Sequence, residues 1–361
     1  MPTGQPPRLP VSVAVVGCGT IANVMHLPTI RTLAEAGRAR LVAVCDVAPA
    51  AARAASDAYG SPPWFTDVDQ MLAEQEFDLL VNATRIPDHF GVTMAALRAG
   101  RHVYTQKPMT TTVAEATILI EEASRRGLTL ACHPDHPVRP MIQTMSRLVR
   151  DGAIGKVAFA KVRSSHFGPE THDVPRDSTW FYKPGSDPIL DMGVHGLSMI
   201  TAILGPVRRL ACFSGRTANK RVHTAGAFKG KEIAVEIDDN SQLLLDFGDA
   251  TFCQLDATYC VADSLSPRIE IFGSKGVLAL TGADPKWRLQ RYDAGPGRWE
   301  DITLAPPPPV RDAGTPHTID HLVDGAPLVL TPERGRHLVE IMTRAPEAAA
   351  LGRTLELETT F

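Results

Sequence analysis

Residues 13–23 read VAVVGCGTIAN, and this stretch determines the fold of the first part of the chain. It lies at the end of the apolar run Val11–Val16, whose β-branched residues are typical of a parallel strand covered on both faces. Gly17 and Gly19 permit a tight turn without a Cβ between the backbone and a phosphate, and a helix beginning near Thr20 would direct its N–H groups at the same point. The stretch therefore predicts a dinucleotide-binding turn, although glycine-rich turns also serve ordinary strand-to-helix connections.

A second apolar run at residues 41–45 ends in Asp46. A carboxylate at the end of the second strand accepts hydrogen bonds from the adenosine ribose hydroxyls and repels a 2′-phosphate, so the sequence favours NAD over NADP. Arg53 follows closely enough to fold back toward a 2′-phosphate, which leaves NADP open.

The length of 361 residues indicates two domains. Charged residues make up 21% and the net charge is −3, and the chain has neither a basic stripe nor a long apolar segment, so no nucleic-acid or membrane partner is expected. Residues 1–10 read as a disordered lead rather than a signal peptide. The six cysteines form no C-x-x-C pair, which favours buried thiols in a reducing cytoplasm.

Alternating strands and helices predict a doubly wound α/β domain at residues 11–135, with further strands at 79–84, 102–105 and 129–132 and helices at 92–99 and 113–126. A helix is expected from Pro140 to Arg150. The part at 136–361 instead carries many strands with few helices between them, which predicts an α+β domain on an open, mostly antiparallel sheet. Its strands are expected at residues 156–166, 207–214, 232–237, 242–247, 251–259, 268–272 and 277–280.

One helix after Asp191 is expected to lie across this sheet, and an apolar outer face would be covered most simply by self-association. The proline run at 306–309 predicts an extended connector. The tail from His317 returns to helical patterning, and it is a candidate to pack back on the first domain.

Lys107 follows the predicted strand at 102–105, at the edge of the sheet where ligands bind in open α/β folds. Pro108 makes the Lys–Pro bond a candidate cis peptide that would fix the direction of the ammonium. The plain alternative is a surface lysine before a turn proline.

Asp191 and His195 are four residues apart at the start of a helix, so both side chains can face one side. A carboxylate beside an imidazole fixes its tautomer and raises its basicity, which suits the removal of a hydroxyl proton. The plain alternative is a helix N-cap at Asp191 and a satisfied core histidine at His195.

Aromatic residues at 180–182 precede the Gly-Ser-Asp-Pro stretch, where Trp180 is the candidate to stack on a sugar ring and core anchoring is the alternative. The histidines at 133 and 136 belong to an H-P-D-H spacing that does not place two ligands on one helical face, so no metal is expected.

These motifs together resemble the Gfo/Idh/MocA oxidoreductase family, to which glucose–fructose oxidoreductase and inositol dehydrogenase belong. The resemblance covers VGCGTIA with HLPTI, VNAT with the following histidine, GRHVYTQKPM, DGAIGKV, DMGVH, EIFGSKG and TPERGRHLVEI. It implies an N-terminal Rossmann domain and a C-terminal sheet domain that commonly mediates dimers or tetramers.

The resemblance also implies NAD(P)-linked oxidation or reduction of a secondary alcohol in a sugar, cyclitol or related polyol. Carried over by position, Lys107 would touch substrate and cofactor, Asp191 would bind substrate, and His195 would be the general acid/base. It further adds a set of expected cofactor contacts, namely Ile21, Thr84, His89 and Gln106. The family's Glu-Lys-Pro is Gln-Lys-Pro here, and loss of that carboxylate is expected to lower the lysine pKa.

Two other functions fit the same scaffold. One is a lyase or glycosidase that oxidises its substrate transiently and recycles NAD, and the other is a non-catalytic NAD-bound sensor. Net NADH release separates the first from a dehydrogenase, and loss of turnover on replacing Lys107 separates the second from both.

Overall fold

The structure is a computed structural model that describes residues 7–174, 177–282, 286–306 and 309–361. The chain forms two compact units. The first contains the described residues of Met1–Arg139 and Pro308–Val339, and the second contains those of Pro140–Pro307 and Glu340–Phe361. The predicted lead at residues 1–10 and the predicted connector at 306–309 fall partly outside the described residues.

The strands of the first unit are β1 Val11–Val16, β2 Ala39–Cys45, β3 Trp64–Phe65, β4 Leu79–Asn82, β5 His102–Thr105 and β6 Leu130–Cys132. Those of the second are β7 Val157–Arg163, β8 Arg209–Gly215, β9 Lys220–Val222, β10 Glu232–Ala234, β11 Asn240–Gly248, β12 Thr251–Thr258, β13 Ile269–Gly273, β14 Gly276–Thr281, β15 Arg288–Asp293, β16 Arg298–Ile302 and β17 Leu355–Glu356.

The helices are α1 Leu27–Glu35, α2 Pro49–Ala58, α3 Val68–Glu74, α4 His89–Arg98, α5 Val113–Arg126, α6 Pro140–Arg150, α7 Val194–Leu204, α8 Gly314–Asp324 and α9 Pro332–Leu351. Two π-helical turns, Ala22–His26 and Ile189–Gly193, directly precede α1 and α7. Single π-helical turns are frequent at functional sites, and both of these lie in motifs that the sequence singled out.

The first sheet is parallel throughout and, within the described residues, has the order β3-β2-β1-β4-β5-β6. The chain reverses direction across the sheet between β1 and β4, which is the switch point where open α/β sheets bind ligands. Most of β1 and all of β4 are buried, as expected for strands covered on both faces. The predicted doubly wound sheet is therefore confirmed.

Residues that directly follow these parallel strands share one edge of the sheet. They are Gly17 after β1, Asp46 after β2, Ala83 after β4, Gln106 after β5 and His133 after β6. Because the carboxyl ends of parallel strands meet at the same edge, the fold alone brings together residues separated by more than a hundred positions in the chain.

The second sheet has the described order β16-β15-β14-β13-β7-β12-β11-β8-β17. Only the central pair β7 and β12 is parallel among these described pairings, and the other neighbours are antiparallel. Strand β11 shows the alternation of a sheet with one covered face, with Leu243 and Leu245 buried and Leu244 exposed between them. The predicted open, mostly antiparallel sheet is also confirmed.

Helix α7 lies directly on the covered face of this sheet at Gly196. A Cβ at that position would come within 2.8 Å of Ser164 Cβ and 2.9 Å of Val162 Cγ1, so only glycine permits this approach. Ser164 Oγ also accepts the Gly196 N–H at 3.0 Å and donates to the Met192 carbonyl. These contacts fix the π-helical turn that contains Asp191 and the first turn of α7, which contains His195.

Several boundaries differ from those predicted. The strand expected at 232–237 is the shorter β10, which pairs with β9 outside the large sheet. The hairpin β15–β16 was not predicted, because each of its strands carries charged residues on both faces and buries almost nothing. Helix α5 matches its predicted bounds, since Thr112 and Glu115 form a capping box and Gly127 takes the left-handed conformation at the other end.

Candidate active site

The turn after β1 has the geometry of a phosphate cradle. Gly17 has a φ of +89°, and a Cβ there would lie 2.5 Å from the backbone carbonyl of Ala83, so the turn packs against the end of β4 as only glycine can. A Cβ at Gly19 would meet no protein atom within 4 Å. Asn23 Nδ2 holds the turn by donating to the Cys18 carbonyl at 2.7 Å and the Gly19 carbonyl at 2.9 Å.

The exposed side of this turn consists of Gly19, Thr20 and Ile21, and the helical backbone begins at Thr20. Open space on Gly19 beside a helix start is what close approach of a pyrophosphate requires. These residues therefore fit the dinucleotide that the sequence predicts.

Asp46 is fixed beside the turn by two backbone donors. Its Oδ2 accepts the Cys18 N–H at 2.7 Å, and its Oδ1 accepts the Ala48 N–H at 2.8 Å. The carboxylate thus links the end of β2 to both the cradle and the approach to α2. Arg53 lies 3.9 Å from Asp57 on α2, and both side chains are exposed, so this pair holds the guanidinium only weakly.

Lys107 is the one partly exposed residue of the otherwise buried segment 103–110. The Lys107–Pro108 peptide is cis, as the Lys–Pro sequence predicts. The preceding Gln106 is buried, and its side chain contacts His26 rather than solvent. An ammonium that stays accessible at the carboxyl edge of the sheet is placed to meet a ligand, which a lysine in a plain surface turn need not do.

His89 is buried, and both of its ring nitrogens face backbone carbonyls. Nδ1 lies 2.6 Å from the Pro108 oxygen, and Nε2 lies 3.1 Å from the Thr84 oxygen. Burial lowers the pKa of this imidazole. The neutral ring has one N–H and donates to one of the two carbonyls, while it packs between the segment after β4 and the segment that contains Lys107. The sequence placed His89 among the cofactor contacts, whereas the structure engages its ring with protein backbone.

Asp191 lies within the π-helical turn before α7 and does not cap the helix. The carboxylate that caps the turn is Asp187, whose Oδ1 accepts the Leu190 N–H at 2.8 Å. Asp191 Oδ2 accepts a hydrogen bond from the Tyr259 hydroxyl at 3.1 Å and lies 3.9 Å from His166 Nε2. The plain N-cap interpretation of Asp191 is therefore wrong for this side chain.

His195 is partly exposed on a helix that is otherwise almost completely buried. Eight of the eleven residues of α7 are buried, and the remaining three are His195, Ala202 and Leu204. Burial of a polar ring is costly unless the ring is hydrogen-bonded, and the partial exposure of His195 also lets it contact a ligand. Together with the partly exposed Asp191, it forms a carboxylate and imidazole that can exchange protons with a bound alcohol.

The surroundings of Asp191 include Tyr259, which sequence reasoning did not select. The ring of Tyr259 stacks on His166 with 5.2 Å between centroids, and His166 lies 5.0 Å from His172. Burial, followed by the charge of Asp191, raises the pKa of Tyr259, so its hydroxyl remains a donor to that carboxylate. The available signal was the alternating buried series that continues β12 to Tyr259, where a tyrosine hydroxyl must find a partner.

The aromatic residues at 180–182 divide between the two roles weighed for them. Trp180 is 46% exposed, whereas Phe181 and Tyr182 are buried in a core cluster with Tyr259. Tyr182 donates to Glu170, which Arg221 approaches at 3.2 Å. Trp180 is thus available to a ligand, and its two neighbours anchor the second unit.

Among the residues that the structure describes, no group of three or more histidine, cysteine or acidic side chains could hold a metal ion. In the H-P-D-H segment, Asp135 is instead taken by Arg139 at 2.7 Å. No helix in the described ranges is both long and apolar enough to cross a lipid bilayer.

Comparisons with known proteins agree with this geometry. Residues 11–133 match the family model described as "Oxidoreductase family, NAD-binding Rossmann fold", and residues 142–279 match "GFO/IDH/MocA C-terminal domain". D-apiose dehydrogenase of Paraburkholderia graminis is 28% identical over 295 residues, which cover 82% of this chain and 72% of that protein. Inositol 2-dehydrogenase of Rhizobium meliloti is 25% identical over 76% of this chain and 77% of its own.

Among solved structures, an oxidoreductase from Agrobacterium radiobacter in complex with NAD+, L-tartaric acid and magnesium superposes with a TM-score of 0.75. The match covers 96% of this chain and 98% of that one at 20% identity, so it supports the fold.

Proposed function

Because the chain belongs to the GFO/IDH/MocA family of NAD-binding oxidoreductases, we propose that it transfers hydride between NAD and a secondary hydroxyl of a sugar, glycoside or cyclitol. The family and the relatives named above make the protein an NAD(P)-dependent dehydrogenase of sugar or polyol alcohols. The proposal adds the bond at which it acts and the residues that carry the reaction.

The observation that carries the proposal is the selective exposure of groups with acid–base chemistry. Lys107 is the accessible residue of a buried segment in the first unit, and His195 is the accessible polar residue of a buried helix in the second. Asp191, one turn before His195, is likewise partly exposed. Their partial exposure lets each of these side chains contact a ligand at the surface of its unit.

We assign the reaction to these three residues. His195 accepts the proton of the substrate hydroxyl. The carbon that bears this hydroxyl gives up its hydrogen with the C–H electron pair as hydride, and its C–O single bond becomes a carbonyl. In the first unit, the Lys107 ammonium would donate hydrogen bonds to a substrate hydroxyl and to the cofactor. Asp191 binds a further substrate hydroxyl, while Tyr259 holds its carboxylate. Bound NAD supplies the hydride acceptor.

The residues proposed to hold NAD are those of the cradle and the sheet edge. Gly17, Gly19, Thr20 and Ile21 would surround the pyrophosphate, and Asp46 would accept the ribose hydroxyls. Thr84 lies at the end of β4, where its Oγ1 donates to Asn82 Oδ1 at 2.7 Å. His89 and Gln106 would act through the backbone segments that they hold.

The test is a screen for NADH formation with free sugars, cyclitols and glycosides. Lys107→Ala and His195→Asn are expected to lower kcat by about 10²- to 10⁴-fold, as loss of acid–base groups does. Lys156→Ala is the matched control, because Lys156 is exposed and paired with Asp249. Substrate turnover without NADH accumulation would identify the NAD-recycling lyase instead, and NAD binding without any turnover would identify the sensor.

We also propose that the protein is a homo-oligomer assembled through the large sheet. Directly paired residues on its outer face form one apolar row across six strands, listed in sheet order as Phe252, Phe159, Phe272, Val277, Tyr292 and Trp299. Phe159 and Phe272 stack at 4.4 Å, yet Phe159, Phe252 and Trp299 each remain more than 40% exposed. An apolar row of this extent is typical of a protein interface.

Phe252→Lys is expected to lower the mass measured by light scattering, because it places a charge in the row. Leu265→Lys is the control, since Leu265 is fully exposed in a loop outside the sheet. An unchanged mass for Phe252→Lys would exclude this face as the interface.

A further inference from the structure

A chain of three buried polar side chains connects the segment before α8 to Lys107 within the first unit. Asp312 Oδ2 lies 2.8 Å from His26 Nδ1, and His26 Nε2 lies 2.8 Å from Gln106 Nε2. Gln106 Oε1 then faces the backbone N–H of Lys107 at 3.3 Å. All three side chains are at least 90% buried, and the two ends of the chain lie more than 200 residues apart in sequence.

Donor and acceptor rules fix the protons along this chain. The Lys107 N–H is an obligatory donor, so the amide oxygen of Gln106 faces it and the amide nitrogen faces His26. An amide nitrogen is only a donor, so His26 Nε2 must be an acceptor without a proton. The one proton of the neutral ring is therefore on Nδ1, where it meets the carboxylate of Asp312.

Asp312 is well suited to receive that proton. Its Oδ2 accepts hydrogen bonds from both the Nδ1–H of His26 and the Thr315 hydroxyl, and such hydrogen bonds favour the ionised carboxylate. Tyr104 and Thr315 donate to this carboxylate at 3.1 and 2.5 Å, and the Gly314 N–H donates at 2.9 Å. The Thr315 N–H also donates at 3.4 Å, so Asp312 is an ionised acceptor with five described donors.

Other titratable groups face His26 from the neighbouring strands and loops. Tyr104 of β5 contacts its ring edge at 5.8 Å between centroids, and Asp312 precedes α8. After β6, His133 lies near Tyr104, and Asp135 is neutralised by Arg139. Burial lowers the pKa of His133 to about 4, so at neutral pH it adds no positive charge beside His26.

We propose that Gln106 is a positioning residue that holds His26 as the neutral Nδ1–H tautomer and thereby fixes the backbone from which Lys107 projects. A glutamate at this position would accept from both the Lys107 N–H and His26 Nε2, and it would require His26 to carry a second proton. With glutamine at this position, no proton is therefore gained or lost at His26 beside the Lys107 segment as the pH changes. This role rests on the proposed function of Lys107, but the tautomer does not.

The tautomer is tested on protein labelled with ¹⁵N-histidine, without cofactor or substrate. Long-range ¹H–¹⁵N spectra of the wild type at pH 7 are expected to show a neutral Nδ1–H ring for His26, with His26→Asn identifying its signals. Gln106→Glu is expected to show a doubly protonated ring at pH 7. A protonated ring, or a proton on Nε2, in the wild type would overturn the proposal.

Stability and kinetics give a second test with a defined sign. In Gln106→Glu the folded protein holds a second proton on His26 between two carboxylates, so the stabilisation that this proton supplies is present at low pH and is lost as the pH rises and the proton leaves. The variant is therefore expected to match the wild type near pH 6. Above neutrality the midpoint of its unfolding transition and its kcat should both fall, and kcat should fall by up to tenfold per pH unit. Gln70→Glu, at an exposed glutamine of α3, controls for the added charge.

A wild-type tautomer as expected, with no turnover on any substrate, would retain the buried chain and reject the function of Lys107. Equal pH profiles for Gln106→Glu and Gln70→Glu would reject the positioning role while leaving the function of Lys107 intact.

Discussion

The two glycines of the cradle are expected to fail in different ways when each is replaced by alanine. At Gly17 the φ of +89° and a Cβ placed 2.5 Å from the Ala83 carbonyl both oppose any side chain. The positive φ alone costs about 1–2 kcal/mol, and the backbone of β1 or β4 must also move. At Gly19 the Cβ meets nothing within 4 Å and the backbone conformation suits an L-residue, so stability should change by less than about 0.5 kcal/mol.

These values convert into two measurements. A loss of about 2 kcal/mol at Gly17 corresponds to a fall of about 4–8 °C in the melting temperature of a unit of this size, whereas Gly19→Ala should melt within about 2 °C of the wild type. The methyl group at Gly19 projects where the pyrophosphate would approach. The Kd for NAD, measured by calorimetric titration, should therefore rise at least about tenfold, equivalent to about 1.4 kcal/mol.

The comparison refutes the reasoning if Gly19→Ala binds NAD like the wild type, because the open side of the turn would then not face the phosphates. Equal melting temperatures for the two variants would show that the contact between Gly17 and the end of β4 does not constrain the fold. Unliganded protein must be used for the melting curves, since bound NAD would itself raise the melting temperature.

Three further variants probe separate parts of the site. Asp46→Ala should raise the Kd for NAD about tenfold or more and the Kd for NADP much less, because the lost carboxylate accepts hydrogen bonds from a ribose but repels a 2′-phosphate. The control Asp57→Ala should change the two Kd values equally. An equal change in Asp46→Ala would contradict the assignment of Asp46 to the ribose. Burial lowers the pKa of His133 from 6.5 to about 4, although nearby carboxylates oppose this shift. Between these two pH values the unfolded chain binds a proton at His133 that the folded protein does not. Up to about 3 kcal/mol of stability should therefore be lost as the pH falls from 6.5 to 4. Chemical unfolding across that range should show a shallower dependence for His133→Gln. Tyr259→Phe removes the donor to Asp191 and should lower kcat/KM about tenfold, whereas Tyr182→Phe, whose hydroxyl meets a different carboxylate, should leave it within about threefold.

The parallel sheet and the cradle could be predicted from the sequence because their signals are local. Strand β1 is a continuous apolar run that ends at two glycines, and α5 carries its own capping box and terminal glycine. The carboxyl-edge positions of Asp46 and Lys107 follow from strand ends alone. The hairpin β15–β16 could not be found in this way, since strands with charged side chains on both faces lack the apolar alternation that marks a half-buried strand.

The environment of each site residue depended on contacts between distant parts of the chain. The sequence predicted an Asp191 and His195 pair on one helix, but it did not indicate that Tyr259, 68 residues later, donates to that carboxylate. It assigned His89 to the cofactor, whereas folding brings the carbonyls of Thr84 and Pro108 to its two nitrogens. Such partners are selected by distance in three dimensions, which no spacing along the chain records.

Gln106 shows where this limit lies. The sequence by itself determined that an amide replaces a carboxylate before Lys107, and it suggested an effect on the ammonium. Only the tertiary structure decided what the amide touches, because His26 meets it and is itself held by Asp312 of the segment before α8. Local residue patterns determine strands, turns and helix ends, but the proton on a buried imidazole is set by whichever donors and acceptors the completed fold brings within 3 Å of it.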